Sequence, residues 1–349
     1  MEEKIIELVN SRADKIDCLN GKKVLSVSVG EVKKQNSLSN RSGSPILIKY
    51  LDNEVVCTEY IWAKFLESPQ ESYHAQERAY SHAEKHGISA PIPKPYFFDT
   101  NNNVVFMEMK TGINVLELTL RYGFSLNLFP NDDLRKLFFE IGFWLQRFHA
   151  SVEIEETTNL KTIIEKVNSE LKSTVSFSQL EKNSLSDALK RFYNKPVAKQ
   201  EFPLVTPHND FTLRNLFMQH AGGFNIVDWD AMVHPCFPQK ALCWWDLTIL
   251  IINMQSMLKL EPIIKISRIK TLCNAVIEGY FSENATVSNI GADEFLQCIY
   301  YVYTLKYWLG IDSDRPLWKV YGASRGMGNR YVARLRRMLL AGKADICGG

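Results

Sequence analysis

Residues 208–228 constrain the fold of this chain more than any other segment. Asp210 precedes Asn215 by five positions within the sequence HNDFTLRN. Two short strand-like runs follow, and the glycine pair between them is suited to a tight turn. The second run ends at Asp228, so the pattern predicts that a hairpin returns this second carboxylate to the side of Asn215.

An acid and an amide at this spacing suit phosphoryl transfer from a nucleotide. The reaction needs an oriented hydroxyl group, a divalent metal on the phosphates and cations where charge accumulates. Asp210 is the candidate catalytic base or hydroxyl-orienting group, and Asn215 with Asp228 offers the oxygen ligands that Mg²⁺ prefers. The spacing is that of the H-x-D-x-x-x-x-N loop of kinases. His208 is expected to support the loop rather than to transfer protons.

These residues resemble the aminoglycoside phosphotransferase family. The family pattern His-Gly-Asp-x-x-x-x-Asn, Ile-Asp-Trp-Glu/Asp and Asp-Leu-Ala is similar to HND at 208–210 with its following Asn, VDWD at 227–230 and DLT at 246–248. The resemblance implies a two-lobed, protein-kinase-like α+β fold, with ATP and Mg²⁺ as cofactors. It also implies that Asp246 is a structural brace. One departure is Asn209, which stands where the family has glycine.

The resemblance extends into the N-terminal part of the chain. Lys49, after the apolar run Ile46–Ile48, is similar to the family's lysine on the α- and β-phosphates, and Glu77 is similar to its helix partner. Glu108 and Met109 lie in a segment that resembles the hinge, whose backbone would hold adenine. The segment that would cover the phosphates, between Val29 and Ser44, does not match G-x-G-x-x-G and contains only Gly30 and Gly43. The choice of ATP rather than GTP is a default assignment.

Hydrophobic periodicity divides the chain into a small strand-rich part and a larger helical part. Alternating residues predict strands at 23–29, 45–50 and 103–109, and a helix is predicted over 70–86. The apolar spacing over 132–150 predicts a buried helix, and further helical runs follow residue 242. We therefore expect an N-terminal nucleotide-binding lobe at residues 1–111, a C-terminal catalytic and substrate-binding lobe at 112–349, and a cleft between them.

Composition excludes several other classes. The chain has 41 basic and 39 acidic residues, so its net charge of +2 provides no global field for nucleic acid. Its seven cysteines include no CxxC pair, which favours reduced thiols. Without a signal peptide or an uninterrupted apolar run long enough for a bilayer, a cytoplasmic protein is expected.

Contact of the basic stretch Arg330–Leu340 with anionic lipid is an alternative to a solvated helix. The oligomeric state is not predicted.

The chemical class of the molecule that accepts the phosphoryl group is predicted from charge alone. If the C-terminal tail lines the substrate pocket, its basic character disfavours a polycationic aminoglycoside. We expect a neutral or anionic small-molecule hydroxyl, with a sugar or saccharide-containing precursor first, choline or ethanolamine second and protein last. The only acidic residue of this tail is Asp345, and its basic residues are Arg325, Arg330, Arg334, Arg336, Arg337 and Lys343.

Two other classes remain open. A nucleotide-binding pseudokinase scaffold is one, although such proteins typically lose the loop Asp, the metal-binding Asp or the lysine, and all three are present. A metal-dependent hydrolase is the other, but it leaves Lys49 and the two-lobe pattern unexplained. Its mixed metal site would comprise His208, Asp210, Asp228, Asp230 and His234.

Some conspicuous side chains are given no site role. The simplest expectation is that four histidines are surface or packing residues, because none has a metal-ligand spacing with a partner. They are His74, His82, His86 and His149. The aromatic residues Trp244-Trp245 and the tyrosines and tryptophan of 300–308 are expected in the core rather than in a ligand platform.

Overall fold

The chain folds into one unit built on an antiparallel sheet and one built mainly of helices. The first comprises Met1–Thr111 with Asn225–Val233, and the second comprises Gly112–Phe224 with His234–Gly349. The segment 225–233, which the sequence places in the second lobe, thus joins the first. The computed structural model describes all residues except 1, 31–32, 35–41, 124–130, 152–155, 176, 221, 230–231, 233–237, 256–265, 283–291, 315–326 and 344–349.

The sheet of the first unit has the strand order β1-β3-β4-β6-β5, with β2 paired to β3, and its strands run antiparallel. Its longest hairpin turns at Asn53-Glu54, where both residues have positive φ (49° and 68°), as a type I′ turn requires. The strands are β1 (Lys23–Val29), β2 (Lys33–Lys34), β3 (Ser42–Asp52), β4 (Val55–Phe65), β5 (Pro95–Asp99) and β6 (Val104–Glu108), and the helices of this unit are α1 (Glu2–Ser11) and α2 (Pro69–Lys85).

The two faces of this sheet have different environments. Ile61, Ala63 and Phe106 belong to a buried core that also includes Ile5 of α1. Because successive side chains of a strand alternate between faces, Lys64 lies on the face opposite this core. Lys49 lies on that same face, because its neighbours Ile48 and Tyr50 belong to the core. The two lysines therefore differ in their position along the paired strands and not in the face that they occupy.

The second unit contains most of the helices, and short strands connect them. The strands are β7 (Ile113–Asn114), β8 (Thr157–Asn159), β9 (Glu201–Val205), β10 (Leu216–Met218), β11 (Phe224–Ile226), which continues into the first unit, and β12 (Ala241–Leu242). The helices are α3 (Val115–Gly123), α4 (Asn131–Ala150), α5 (Leu160–Ser173), α6 (Gln179–Tyr193), α7 (Trp245–Gln255), α8 (Ile266–Phe281), α9 (Ala292–Asp314) and α10 (Met327–Leu340). The helices predicted over 70–86 and 132–150 correspond to α2 and α4.

Helices α4 and α8 touch through their backbones. A Cβ atom added to Gly142 of α4 would overlap the carbonyl oxygen of Val276, and one added to Gly279 of α8 would overlap that of Phe139. Each helix thus contributes a glycine at the point where the other approaches. This close contact determines how the side chains near the ends of both helices meet.

The C-terminal helix α10 is tied to the second unit. Leu335 and Leu339 are buried, and Arg336 donates to both carboxylate oxygens of Glu181 at 2.7 Å while its guanidinium lies over the Phe177 ring. These bonds lower the pKa of Glu181 to about 2. The side chains of Arg330 and Arg334, together with Arg325 and Asp345, lie outside the described residues. The apolar side of the helix end is therefore covered by protein.

Two further expectations concern apolar segments. The core position expected for the aromatic residues is confirmed, since Trp244, Trp245, Tyr300, Tyr301, Tyr303 and Trp308 are all buried. Among the described helices, none has the length and apolar character needed to span a membrane.

The α4–α8 contact predicts the effect of a single methyl group. Gly279→Ala should lower the thermal unfolding midpoint by several degrees, because overpacking costs about 1–3 kcal/mol and exceeds the gain of about 1 kcal/mol in helix propensity. Thr271→Ala, at an exposed position of the same helix, is the matched control. Circular dichroism on heating measures both, and a Gly279→Ala midpoint at or above that of the control would contradict the close contact.

Candidate active site

The loop at 208–215 brings its acid and its amide together. The Asn215 side-chain nitrogen donates to the Asp210 carbonyl at 2.8 Å and to Asp210 Oδ2 at 2.9 Å. The Thr212 N–H also donates to the Asp210 carbonyl, at 2.8 Å. Because the amide nitrogen of Asn215 is committed to Asp210, its oxygen is the atom that can act as a ligand.

The backbone of this loop is held by a buried carboxylate. Asp246, in the first turn of α7 and 1% exposed, accepts the His208 N–H at 2.8 Å and the Asn209 N–H at 3.0 Å. The His208 ring in turn accepts the Asp210 N–H at Nδ1, at 3.2 Å. Asp246 and His208 thus support the loop through hydrogen bonds to the backbone of residues 208–210.

Asn209 occupies a left-handed backbone position, with φ of 68°. Glycine adopts this conformation without strain, and asparagine is among the few other residues that tolerate it. Its side chain accepts the Trp245 indole N–H at 2.8 Å and donates to the Pro238 carbonyl at 3.1 Å. The residue that departs from the family pattern therefore meets the same backbone requirement and adds two hydrogen bonds.

His149 is buried, as the packing role expected for it requires, and its ring also contacts Asp246 and so belongs to this support. His149 is 4% exposed. Its ring Nε2 lies 3.3 Å from Asp246 Oδ2, and its ring Nδ1 lies 3.0 Å from the Tyr280 hydroxyl. The signal in the sequence was its helical spacing from Leu145, which places a histidine on the apolar stripe of a buried helix.

In the first unit, Asp228 forms an ion pair with Lys64 of β4. Both side chains are largely buried, with exposures of 19% and 13%. Asp228 also has a left-handed backbone, with φ of 74°. The preceding strand is fixed within this unit, since the Ile226 N–H donates to the Pro91 carbonyl at 2.7 Å and the Asn225 side chain to the Thr111 carbonyl at 3.0 Å.

The structure does not bring Lys49 to Asp228. Lys49 is exposed on β3 opposite Thr58, near the hairpin turn, whereas Lys64 is opposite Gly43 at the other end of the same strand pair. The sequence did not predict β4, which carries Lys64, and its signal was a single lysine within the largely apolar run IWAKF.

Glu77 lies on a half-exposed side of α2. Its carboxylate accepts the Tyr73 hydroxyl at 3.1 Å and lies 3.2 Å from His74 Nδ1. Burial, with a contribution from Glu77, raises the pKa of Tyr73 to about 12. The buried face of the helix instead presents Gln76, which donates to the Pro93 carbonyl at 2.6 Å. The structure thus brings Glu77 to neither lysine.

Glu108 and Met109 lie at the end of β6 and directly after it. The Glu108 N–H donates to the Lys94 carbonyl at 2.8 Å. Its carboxylate accepts the Lys94 N–H at 3.1 Å and pairs with Lys110 at 2.6 Å. The side chain of Glu108 therefore stabilises this segment, and the hinge role of the backbone here remains a prediction.

The two glycines that flank the candidate phosphate loop have a steric role. A Cβ atom on Gly43 would overlap the Trp62 indole, and one on Gly30 would lie 2.8 Å from Pro45 Cγ. Both glycines therefore permit close strand contacts at the base of the loop. Most of the loop, residues 31–32 and 35–41, lies outside the described part of the chain.

The alternative hydrolase site gains no support. Asp230 and His234 lie outside the described residues. Within the described ranges, no group of three or more histidine, cysteine or acidic residues is placed to hold a metal ion. A mixed nitrogen and oxygen metal site is therefore not observed in this part of the chain.

Comparisons with known proteins identify the fold. No family model and no curated protein matches the chain. A glucosamine kinase structure is similar with a TM-score of 0.53 at 11% identity, over 89% of this chain and 94% of the other. A putative aminoglycoside phosphotransferase from Ralstonia eutropha has a TM-score of 0.52 at 15% identity, over 91% of each chain.

A second glucosamine kinase structure, in complex with glucosamine, ADP and inorganic phosphate, has a TM-score of 0.53 at 14% identity, over 84% of this chain and 79% of the other. At such low identities the likeness concerns the fold. The α+β class predicted from the sequence is confirmed, and the chain has the two-lobed, protein-kinase-like fold of the aminoglycoside phosphotransferase and glucosamine kinase structures.

Proposed function

We propose that this protein transfers the γ-phosphoryl group of ATP to a hydroxyl group of a small molecule. The observation that carries the proposal is the loop geometry, in which Asp210 and Asn215 are joined at 2.9 Å on a backbone held by Asp246. A carboxylate fixed in this way can orient an acceptor hydroxyl and receive its proton. The shared fold supports the same chemistry, because the similar structures include kinases of small molecules.

The donor set fits a hard divalent cation. The Asn215 amide oxygen and the Asp228 carboxylate are oxygen ligands of the kind that Mg²⁺ prefers, since it keeps water and phosphate oxygens in its other positions. When bound, Mg²⁺ would neutralise charge on the phosphates. Asp228 is preset for this role by its ion pair with Lys64 and by a backbone conformation that its fixed neighbours maintain.

Lys64 is the residue that we assign to the phosphates. A lysine suits this role as a flexible point charge, and its partner Asp228 is the candidate metal ligand. The mostly buried position of Lys64 strengthens its interaction with an anionic ligand relative to an exposed lysine such as Lys49. Lys64 therefore takes the place that the resemblance gave to Lys49.

We propose a sugar or a saccharide-containing compound as the acceptor. The similar structures support this class, since two of them are glucosamine kinases. The charge argument against aminoglycosides is weaker than the sequence indicated, because Arg336 is engaged with Glu181. Choline, ethanolamine and aminoglycosides therefore belong in the acceptor test.

The first prediction tests the reaction itself. Purified protein incubated with Mg²⁺ and ATP should phosphorylate at least one member of a panel of sugars, amino sugars, amino alcohols and aminoglycosides, scored by mass. Asp210→Ala and Asp228→Ala should lower the rate by about 10²-fold or more, because each removes a group needed in the transition state. Thermal unfolding of each variant checks that it is folded.

Three outcomes would contradict this function. Wild-type rates in both folded variants would show that the loop assignment is wrong. ATP binding without modification of any acceptor would favour the pseudokinase, and metal-dependent hydrolysis that needs no nucleotide would favour the hydrolase.

A second prediction separates the two lysines. Lys64→Met should lower kcat/KM for ATP by about 10²-fold, because it removes the cation from the phosphates. Both a higher KM for ATP and a lower kcat should contribute to this loss. Lys49→Met removes the same charge from an exposed position of the same sheet and should change kcat/KM less than about twofold. Steady-state kinetics with varied ATP measure both, and the opposite order would return the role to Lys49.

A further inference from the structure

The second unit contains a buried histidine whose hydrogen bonds define its proton content. We propose that His149 is a doubly protonated imidazolium, and that it is the positioning residue whose charge holds Asp246 and, through Asp246, the loop backbone at 208–210. The inference deepens the proposed function and rests on it only for its activity readout.

The Tyr280 side determines the state of Nδ1. The Tyr280 hydroxyl lies 2.9 Å from the Cys243 carbonyl, which can only accept, so the single hydroxyl proton is directed there. Burial raises the pKa of Tyr280 well above its ordinary value, which keeps this proton in place. The 3.0 Å contact between the hydroxyl oxygen and His149 Nδ1 therefore requires an N–H on the ring.

The Asp246 side determines the state of Nε2. Asp246 accepts two backbone N–H groups, one on each carboxylate oxygen. A carboxylate that uses both oxygens as acceptors offers no proton to the ring. The 3.3 Å contact between Asp246 Oδ2 and His149 Nε2 therefore requires a second N–H on the ring.

Charge balance supports the same assignment. A carboxylate that is 1% exposed is costly unless a cation or several donors compensate for its lost hydration. Within the described residues, the ion pair of Asp246 is with His149. Burial raises the pKa of the nearby Cys243 thiol to about 12, so this neighbour is neutral and does not compete for the proton. His208 faces the same carboxylate with its backbone N–H.

A spectroscopic test decides the proton content. In protein labelled with ¹⁵N-histidine, ¹H–¹⁵N correlation spectra at neutral pH should show both ring nitrogens of His149 protonated, with the signals assigned by their loss in His149→Gln. A ring with one unprotonated nitrogen would overturn the proposal. This measurement does not depend on nucleotide or acceptor, so it stands even if no phosphotransferase activity is found.

A kinetic test decides the positioning role. Substituting either His149→Gln, which removes the charge, or Tyr280→Phe, which removes the acceptor for Nδ1–H, should lower kcat by about 10- to 100-fold, as for other supporting residues. The KM for ATP should change by less than about twofold, because neither residue contacts the nucleotide under the proposed roles. His220→Gln, at an exposed position, is the matched control.

A merely structural role would give a different result. In that case, kcat of the folded fraction would be unchanged and only the unfolding midpoint would fall, which would overturn the positioning role. A double-mutant cycle that combines His149→Gln with Asp246→Asn adds a second criterion. The double variant His149→Gln/Asp246→Asn should lose less activity than the product of the two single losses, and independent losses would contradict the pairing.

Discussion

The buried carboxylate of Asp246 is the interaction on which the candidate catalytic loop depends. A loop in the protein interior needs partners for its backbone groups, and Asp246 supplies them for two successive N–H groups. Its neighbours come from two other helices, since both His149 and Tyr280 lie in the last turn of their helices, α4 and α8. The close contact at Gly142 and Gly279 joins the two helices that carry these residues.

The first unit reaches its functional geometry by a different route, through strand register. An antiparallel sheet presents alternate residues on opposite faces, so the pairing of β3 with β4 fixes Lys64 on the face away from the core. Asp228 then requires a left-handed backbone, which costs about 1 kcal/mol or more for a residue other than glycine. The hydrogen bonds of Asn225 and Ile226 fix the chain just before Asp228.

The features that the sequence predicts well are local. The Asp210–Asn215 spacing, the hairpin that follows and the apolar stripe of α4 each lie within a short window. The ion pair of Lys64 with Asp228 was not predicted, because strand β4 was not predicted and the more apolar run before Lys49 gave the stronger local signal. His149 was missed because its partner Asp246 lies 97 positions away, a distance over which periodicity carries no information.

The same limit applies to the acceptor. The basic tail and the aromatic cluster were the two features of the sequence that bore on it, and Arg336 of the tail and the aromatic cluster take part in folding. Arg336 is bound to Glu181, 155 positions away, and Tyr301 donates to the carbonyl of Leu339 from within the core. Side chains used in this way cannot also define specificity without a cost to stability. Recognition of the acceptor is therefore expected from polar groups close to Asp210, where the hydroxyl has to be oriented.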